Sequence, residues 1–326
     1  MVWAKEQGWD VPNVHFDLLE FLETKSTATN NTMQILCHRG IGKSTLIGIS
    51  IAYWLYNNPK LHVLCLSGTG DLAAKLTRDV FAILERHPLT AGKLIAPGLK
   101  AREKSFWVVG NNDERVPSVS SYGIDSAVTG IRADVIIYDD VEIPKNCDTE
   151  GKREDLRAAL AESFFLLTPE EGVQIYIGTP HSEQSIYDEN SNEGCSEICI
   201  PLLNNITGTF PNYTGDCNWP EKFNAEYIKR LQRKAKLESR FLAQYQLQSV
   251  NTEYSPLMFE NLQPYDDGLL IVSDGISRKF EVDGKEVVRA STFWDVSAGK
   301  EGGDDSVLTI TYLTKCGAYY IHRQYA

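Results

Sequence analysis

The chain is short of positive charge: 32 lysines and arginines stand against 44 aspartates and glutamates, for a formal charge of -12 over 326 residues. A field of that sign repels polyanions, so composition excludes a generally basic nucleic-acid binder and leaves room only for a local basic patch. Long hydrophobic runs are missing too. The longest, LIGISIAYWLY at 46–56, is about half of what a bilayer-spanning helix needs. The N-terminus lacks the basic flank, continuous apolar core and small-residue cleavage site of a secretory signal. A soluble protein without a membrane partner is the expectation. The seven cysteines are odd in number and show no paired framework, which fits free thiols in a reducing compartment. Cys195, Cys199 and Cys217 with His181 make at most a weak zinc pattern, because no second close pair supports them. Internal repeats and low-complexity tracts are absent as well, excluding solenoids and disordered tails.

What is present is alternation. TMQILC (32–37), LHVLCLSG (61–68), ADVIIYDD (133–140) and VQIYIGTP (173–180) read as short buried strands, and helical patterns separate them. Interleaving of that kind predicts an α/β fold with a mainly parallel sheet covered by helices on both faces. After residue 220 the pattern changes to one or two amphipathic helices, then an irregular stretch, then β-rich sequence from about 286. The expected division is residues 1–250 with a helical subdomain at their C-terminal end, a linker at 251–285, and a second sheet beginning at 286–326.

Three motifs carry chemistry. In CHRGIGKS (37–44) a strand runs into a glycine-bent turn and a helix leaves it, the context of a phosphate-binding loop. Gly40 and Gly42 stand where a Cβ would block backbone N–H groups from a phosphate. Cys37, His38, Arg39, Ile41 and Thr45 complete the candidate loop. Lys43 is placed to reach the β and γ phosphates of ATP, and the Ser44 hydroxyl to hold Mg²⁺. Cys37 stands where such loops usually have their first glycine. The second motif is VIIYDDVE (135–142), an apolar strand ending in acids at a C-terminal sheet edge, where open parallel sheets bind ligands. Asp139 is the candidate metal partner. Asp140 and Glu142 are rival candidates for orienting the attacking water. The third is IYIGTP, whose Thr179 sits at a strand tip, suited to sensing loss of the γ-phosphate.

Taken together, CHRGIGKS, the run SYGIDSAVTGIRADVIIYDDVEIPKN and YIGTP resemble the large terminase subunits of tailed bacteriophages, especially those of podoviruses. The resemblance covers about residues 30–190 closely and the rest more loosely. It implies a P-loop ATPase of the ASCE type as the N-terminal motor, followed by a ribonuclease H-like nuclease. It further implies a host-cytoplasmic protein that acts transiently at the procapsid portal. The implied partners are double-stranded DNA, portal protein, a small terminase subunit and further copies in a ring. In FWDVSAGKEGGDDSVLTI, Asp295 and Asp304 match the first acidic positions of that nuclease, where Asp295 would hold one of a pair of Mg²⁺ or Mn²⁺ ions. The remaining nuclease acids belong to later strands of the family. Since this chain ends at Ala326, the nuclease is expected to be incomplete and inactive in it. His15 stands where the family often has a base-reading glutamine. Arg39, acting in its own subunit, and Arg132, acting on a neighbour, are the two candidates for the charge-neutralising arginine. The rival readings are a helicase-like or repair translocase, which would lack the Asp295 segment, and a nucleotide-dependent switch with little turnover.

The basic stretch YIKRLQRKAKLESR (227–240) is read as a helix solvated on one face and packed through Tyr227, Leu231 and Phe241, with contact to a DNA backbone as the alternative.

Overall fold

The computed structural model describes residues 1–24, 29–95, 104–111, 113–126, 128, 130–169, 171–181, 184–248, 265, 269–273, 278–295 and 306–325. The chain divides into two compact units, Met1–Tyr254 and Ser255–Ala326.

In the first unit α1 (Val2–Glu6) and α2 (Asn13–Glu23) precede β1 (Thr32–Cys37) and α3 (Lys43–Asn57). Then come β2 (Val63–Ser67), α4 (Gly70–Arg86), β3 (Ser105–Phe106), β4 (Val119–Gly123) and β5 (Val135–Asp139). They are followed by α5 (Pro144–Cys147), α6 (Glu150–Phe164), β6 (Val173–Gly178), α7 (Ile186–Asn192) and β7 (Ser196–Ile200). A hairpin of β8 (Leu203–Thr207) and β9 (Thr214–Cys217) leads to α8 (Ala225–Ala235) and α9 (Glu238–Gln246).

Seven strands form one sheet in the order β3-β4-β2-β5-β6-β1-β7, and every pairing except β3 with β4 is parallel. The central strands are apolar on both faces because both faces are covered. Ile35, Cys37, Ile137, Ile175 and Ile177 point into one core with residues of α2, α3 and α4, while Leu36, Ile136, Tyr138 and Tyr176 point into a second with residues of α6 and α7. On that second side the Tyr138 and Tyr176 rings stack at 4.2 Å, and the Tyr138 hydroxyl is satisfied by Ser163 and Gln174. Side-chain caps set where the helices begin: Thr69 for α4, Thr149 for α6 and Asn224 for α8 each accept from a backbone N–H of the first turn.

The insertion of β6 between β1 and β5 decides the site. It brings the C-terminal ends of three strands side by side, so Cys37, Asp139 and Gly178 share one edge.

The second unit is an antiparallel meander of β10 (Leu270–Ser273), β11 (Arg278–Val282), β12 (Lys285–Asp295), β13 (Val307–Thr314) and β14 (Tyr319–Tyr325), with Val282, Tyr312 and Tyr320 as its buried centre. Its sheet starts before residue 286, since β10 and β11 lie inside the stretch expected as linker. The reason is a tight hairpin: Asp283 and Gly284 both have positive φ, 52° and 66°, and close a two-residue turn between Val282 and Lys285. That Asp-Gly pair is a hairpin signal visible in the sequence.

Candidate functional site

The loop between β1 and α3 bends through Gly40 and Gly42, with φ of 90° and 96°. An L side chain is strained at such angles, so the two glycines permit the turn. Four backbone groups of the loop are tied to elements around it. His38 N–H donates to the Ile200 carbonyl at 3.0 Å, Arg39 N–H to the Gln244 carbonyl at 2.9 Å, Lys222 Nζ donates to the Gly40 carbonyl at 2.7 Å, and His15 Nε2 meets the Ile41 carbonyl at 2.7 Å. The N–H groups of Gly40, Gly42, Lys43 and Ser44 have no hydrogen-bond partner among the described residues. They lie at the N-terminal end of α3, where orphan donors and the helix dipole favour an anion.

Against this loop stands the tip of β5. Ser44 Oγ donates to Asp139 Oδ2 at 3.0 Å, and Lys43 Nζ lies 3.4 Å from Asp140 Oδ1 and 3.4 Å from the Cys37 carbonyl. Asp139 is buried and its Oδ1 is unpartnered among the described residues. Burial first, then the Asp140 charge, pushes its carboxyl up to about 7. An orphaned buried carboxylate oxygen beside a serine hydroxyl and a lysine is a donor set suited to a divalent cation with its phosphate ligands.

Asp140 differs from its neighbour in exposure and in backbone. Its side chain is 41% exposed, and its φ of 45° is left-handed. That conformation is held from both sides, by donation of its N–H to Ile177 in β6 at 2.8 Å and by acceptance at its carbonyl from Gly68 at 3.2 Å. Backbone outliers held in this way cluster at functional sites.

Glu142 has a different environment. It is 1% exposed, with Oε1 accepting from His181 N–H at 2.6 Å and Oε2 from Ser185 Oγ at 2.8 Å and Ile186 N–H at 3.1 Å. The carboxylate thus sits on the N-terminal turn of α7 and ties down the segment after β6. This geometry counts against Glu142 as the water-orienting acid, because both its oxygens are already committed. Thr179 is buried at the start of that segment, after the β6 strand that separates the loop strand from the acidic strand.

Beside the loop lies a hollow of about 560 Å³ whose lining includes His15, Ile41, Gly42, Thr45 and Trp219. His15 packs edge-on against Trp219 at 5.1 Å and is held neutral-leaning by burial. The hollow adjoins the phosphate loop, and His15 lines it.

His38 is fully buried under the loop, with its ring edge-on to Phe223 at 5.0 Å and its Nδ1 3.1 Å from the Arg39 carbonyl. Burial lowers its pKa from 6.5 to about 4. The unfolded chain therefore binds the extra proton first. This contribution to stability is complete above pH 6.5 and is lost as pH falls from 6.5 towards 4, by about 3 kcal/mol in all. Asp139 has the opposite sign, because a carboxyl raised from 3.8 favours the fold at low pH and loses that contribution as pH rises towards 7. Comparison with His38→Asn isolates the first effect. In urea unfolding, the parent's advantage over the variant is expected to shrink by about 3 kcal/mol between pH 7 and pH 4. An advantage independent of pH would mean that His38 is not held neutral.

Of the two candidate arginines, Arg39 is exposed on the loop itself, whereas Arg132 lies before the opposite end of β5 and donates to the Phe165 carbonyl at 2.6 Å. Asp295 ends β12 of the second unit. Asp304 lies outside the described residues. Sequence reasoning did not single out Lys222, Phe223 or Gln244, which hold the loop from a distance of about 180 to 200 residues along the chain, or Trp219, which packs on His15 and Phe223 beside it. The amphipathic pattern near them hinted at helices but carried no sign of where they dock.

Comparison with known proteins gives a sequence relative among phage proteins. The chain is 33% identical over 187 residues to the terminase large subunit of Enterobacteria phage T3, an alignment that covers 57% of this chain and 32% of that protein. The terminase resemblance read from the motifs is met by this relative, and the chain spans about a third of its length. Among solved structures it is similar to the large terminase of bacteriophage HK97, with TM-score 0.49 and 12% identity over 95% of this chain and 62% of that one. It is also similar to the ATPase domain of the Thermus phage P74-26 large terminase, with TM-score 0.45 and 16% identity over 76% of this chain and 97% of that one. No family model matches the chain.

Proposed function

We propose that the chain carries the motor of a phage DNA-packaging terminase: a P-loop ATPase of the ASCE type that drives double-stranded DNA into a procapsid. The single observation that supports this best is the convergence of Ser44 on Asp139 at 3.0 Å and of Lys43 on Asp140 at 3.4 Å, on the edge beside the hollow lined by His15. The sequence relationship to a terminase large subunit adds to it.

In this reading ATP lies with its base near His15 and Trp219 and its β and γ phosphates on the free N–H groups of the loop. Lys43 neutralises charge on the transferring phosphoryl group. Ser44 and Asp139 would hold Mg²⁺, which would supply neutralisation of negative charge on the phosphates. Asp140 orients the attacking water and accepts its proton; its exposure beside the loop suits that role. Arg39 is placed to add a second cation within the same subunit. Thr179, at the tip of β6, senses departure of the γ-phosphate.

The domain assignment that goes with this is a motor at 1–250, with α8 and α9 as its linker subdomain, followed by the β meander as part of a ribonuclease H-like nuclease. There Asp295 would hold divalent metal, and Asp304 matches the next acidic position. Portal protein, a small terminase subunit and other copies in a ring are the partners that fit, in the host cytoplasm. Among the described residues no helix is long and apolar enough to cross a membrane.

The test is nucleotide binding and hydrolysis measured together, with and without duplex DNA. Lys43→Ala is expected to weaken binding of a fluorescent ATP analogue at least about tenfold and to slow turnover about a hundredfold, the loss typical for one donor to a transition-state charge. Binding and turnover both indifferent to this substitution would sink the motor reading. Turnover too slow to follow, with normal binding, would favour the nucleotide-switch alternative.

A further inference from the structure

We infer that the outward face of α8 is the surface on which this protein holds the phosphates of duplex DNA, and that the nucleotide site is mechanically clamped to it. The inference rests on the DNA-packaging reading above and deepens it by naming the contact.

The charge is the first observation. Lys229, Arg230, Arg233, Lys234 and Lys236 place five cations within eight residues and no acid among them, in a chain whose total is -12. All five are exposed, as is Arg240 beyond them. Among the described residues none of the six is in an ion pair. The flanking acids Glu226 and Glu238 form no ion pair with them among the described residues, and Glu238 accepts a hydrogen bond from the Tyr213 hydroxyl. A merely solvated helix face usually mixes signs, because like charges one turn apart repel by a few tenths of a kcal/mol each.

The second observation is rigidity. The inner face of α8 is fixed by buried Ile228 and Gln232, and the Gln232 amide both accepts from Tyr213 N–H at 2.7 Å and donates to the Tyr213 carbonyl at 2.8 Å. That leaves the cations in two rows, Lys229 with Arg233 and Arg230 with Lys234, each pair separated by a rise of about 6 Å. Duplex DNA carries a phosphate about every 3.4 Å along each strand, so each row spans about two phosphates. A regular polyanion relieves the repulsion that the bare helix carries.

The third is attachment at both ends. Immediately before α8, Lys222 donates to the Gly40 carbonyl and lies 4.4 Å from the Trp219 ring, while Phe223 packs on Gly40 and His38. After α8, Gln244 in α9 accepts from Arg39 N–H, and its amide lies 3.3 Å from His181 Nδ1 at the β6 tip. Rearrangement of the phosphate loop or of the β6 tip therefore bears on both ends of the basic element.

The test uses the full chain, a 30-base-pair duplex of arbitrary sequence and a salt titration. In the variant Lys229→Gln/Arg230→Gln/Arg233→Gln/Lys234→Gln the slope of log K against log salt is expected to fall by about 3 to 4, since each phosphate contact contributes about 0.9. ATP turnover without DNA should stay unchanged, because none of the four touches the loop or the acids, and acceleration by DNA should be lost. A control variant, Lys60→Gln/Lys93→Gln/Lys104→Gln/Arg115→Gln, removes the same charge elsewhere and should leave the slope within about 1. Three results would overturn the inference. One is an unchanged slope in the α8 variant. Another is an equal fall in the control, meaning that total charge alone matters. The third is a change in self-association without a change in slope, which makes this face a contact between copies. A parent that hydrolyses ATP but binds no duplex overturns the inference together with the DNA part of the proposed function. A parent that binds duplex with the expected slope but has no turnover overturns the motor reading and leaves the contact standing.

Discussion

Replacing Asp140 by asparagine is expected to lower ATP turnover by about 10² to 10⁴, the range for loss of a positioned proton acceptor, with little change in folding. Asparagine keeps the shape and tolerates the left-handed backbone that Asp140 adopts, so both backbone bonds to Ile177 and Gly68 survive. The ion pair with Lys43 is lost, and with Asp140 41% exposed but Lys43 only 9% exposed this costs about 1 kcal/mol. Glu142→Gln should behave in the reverse way. Its amide would turn a donor towards His181 N–H or towards Ser185 and Ile186, leaving buried donors facing one another, at a cost of about 1 to 3 kcal/mol or more. Phosphate release measured alongside thermal melting separates the two. Turnover abolished by Glu142→Gln at an unchanged melting temperature would move water activation to Glu142 and refute the assignment made from burial.

The second large effect is on folding. Gly178→Ala is expected to cost about 3 kcal/mol or more, or to give no soluble protein, because a Cβ there would lie 1.8 Å from the Tyr187 hydroxyl oxygen and 2.4 Å from its ring. Neither side can yield easily. Gly178 is paired with Leu36 in the middle of the sheet, and Tyr187 is fully buried. Gly178→Ala/Tyr187→Ala relieves the clash but opens a cavity, and should cost about the 3 to 5 kcal/mol of a deleted buried ring rather than the sum of the two effects. Tyr187→Phe alone should change stability by no more than about 1 kcal/mol, since the buried hydroxyl makes no well-formed hydrogen bond and meets only the Glu142 backbone. Urea midpoints for the four proteins test the set, and a Gly178→Ala variant within 1 kcal/mol of the parent would mean that this strand tip is less tightly packed than its geometry requires.

Much of the first unit was legible in the sequence because its signals are local. Buried strands with apolar residues on both faces, the glycine-bent turn before Lys43 and the acids closing β5 each depend on backbone geometry within a few residues. Other features were not readable at that range. Asp140 and Glu142 are two residues apart and chemically alike, and what distinguishes them is the set of donors that α7 and the segment after β6 bring to one and withhold from the other. The early start of the second sheet was readable in principle from Asp283 and Gly284.

By itself, the order of residues determined the alternating α/β pattern, the phosphate-binding turn, the acidic strand end and the kinship they suggest, since each follows from steric and hydrogen-bonding rules that act along the chain. Only the folded arrangement decided that β6 separates β1 from β5 and so sets Ser44 against Asp139, that Glu142 is spent on holding α7, and that Trp219, Lys222, Phe223 and Gln244 close on the loop. Those outcomes depend on which distant surfaces bury one another, and burial is a property of the packed chain that no local stretch of sequence contains.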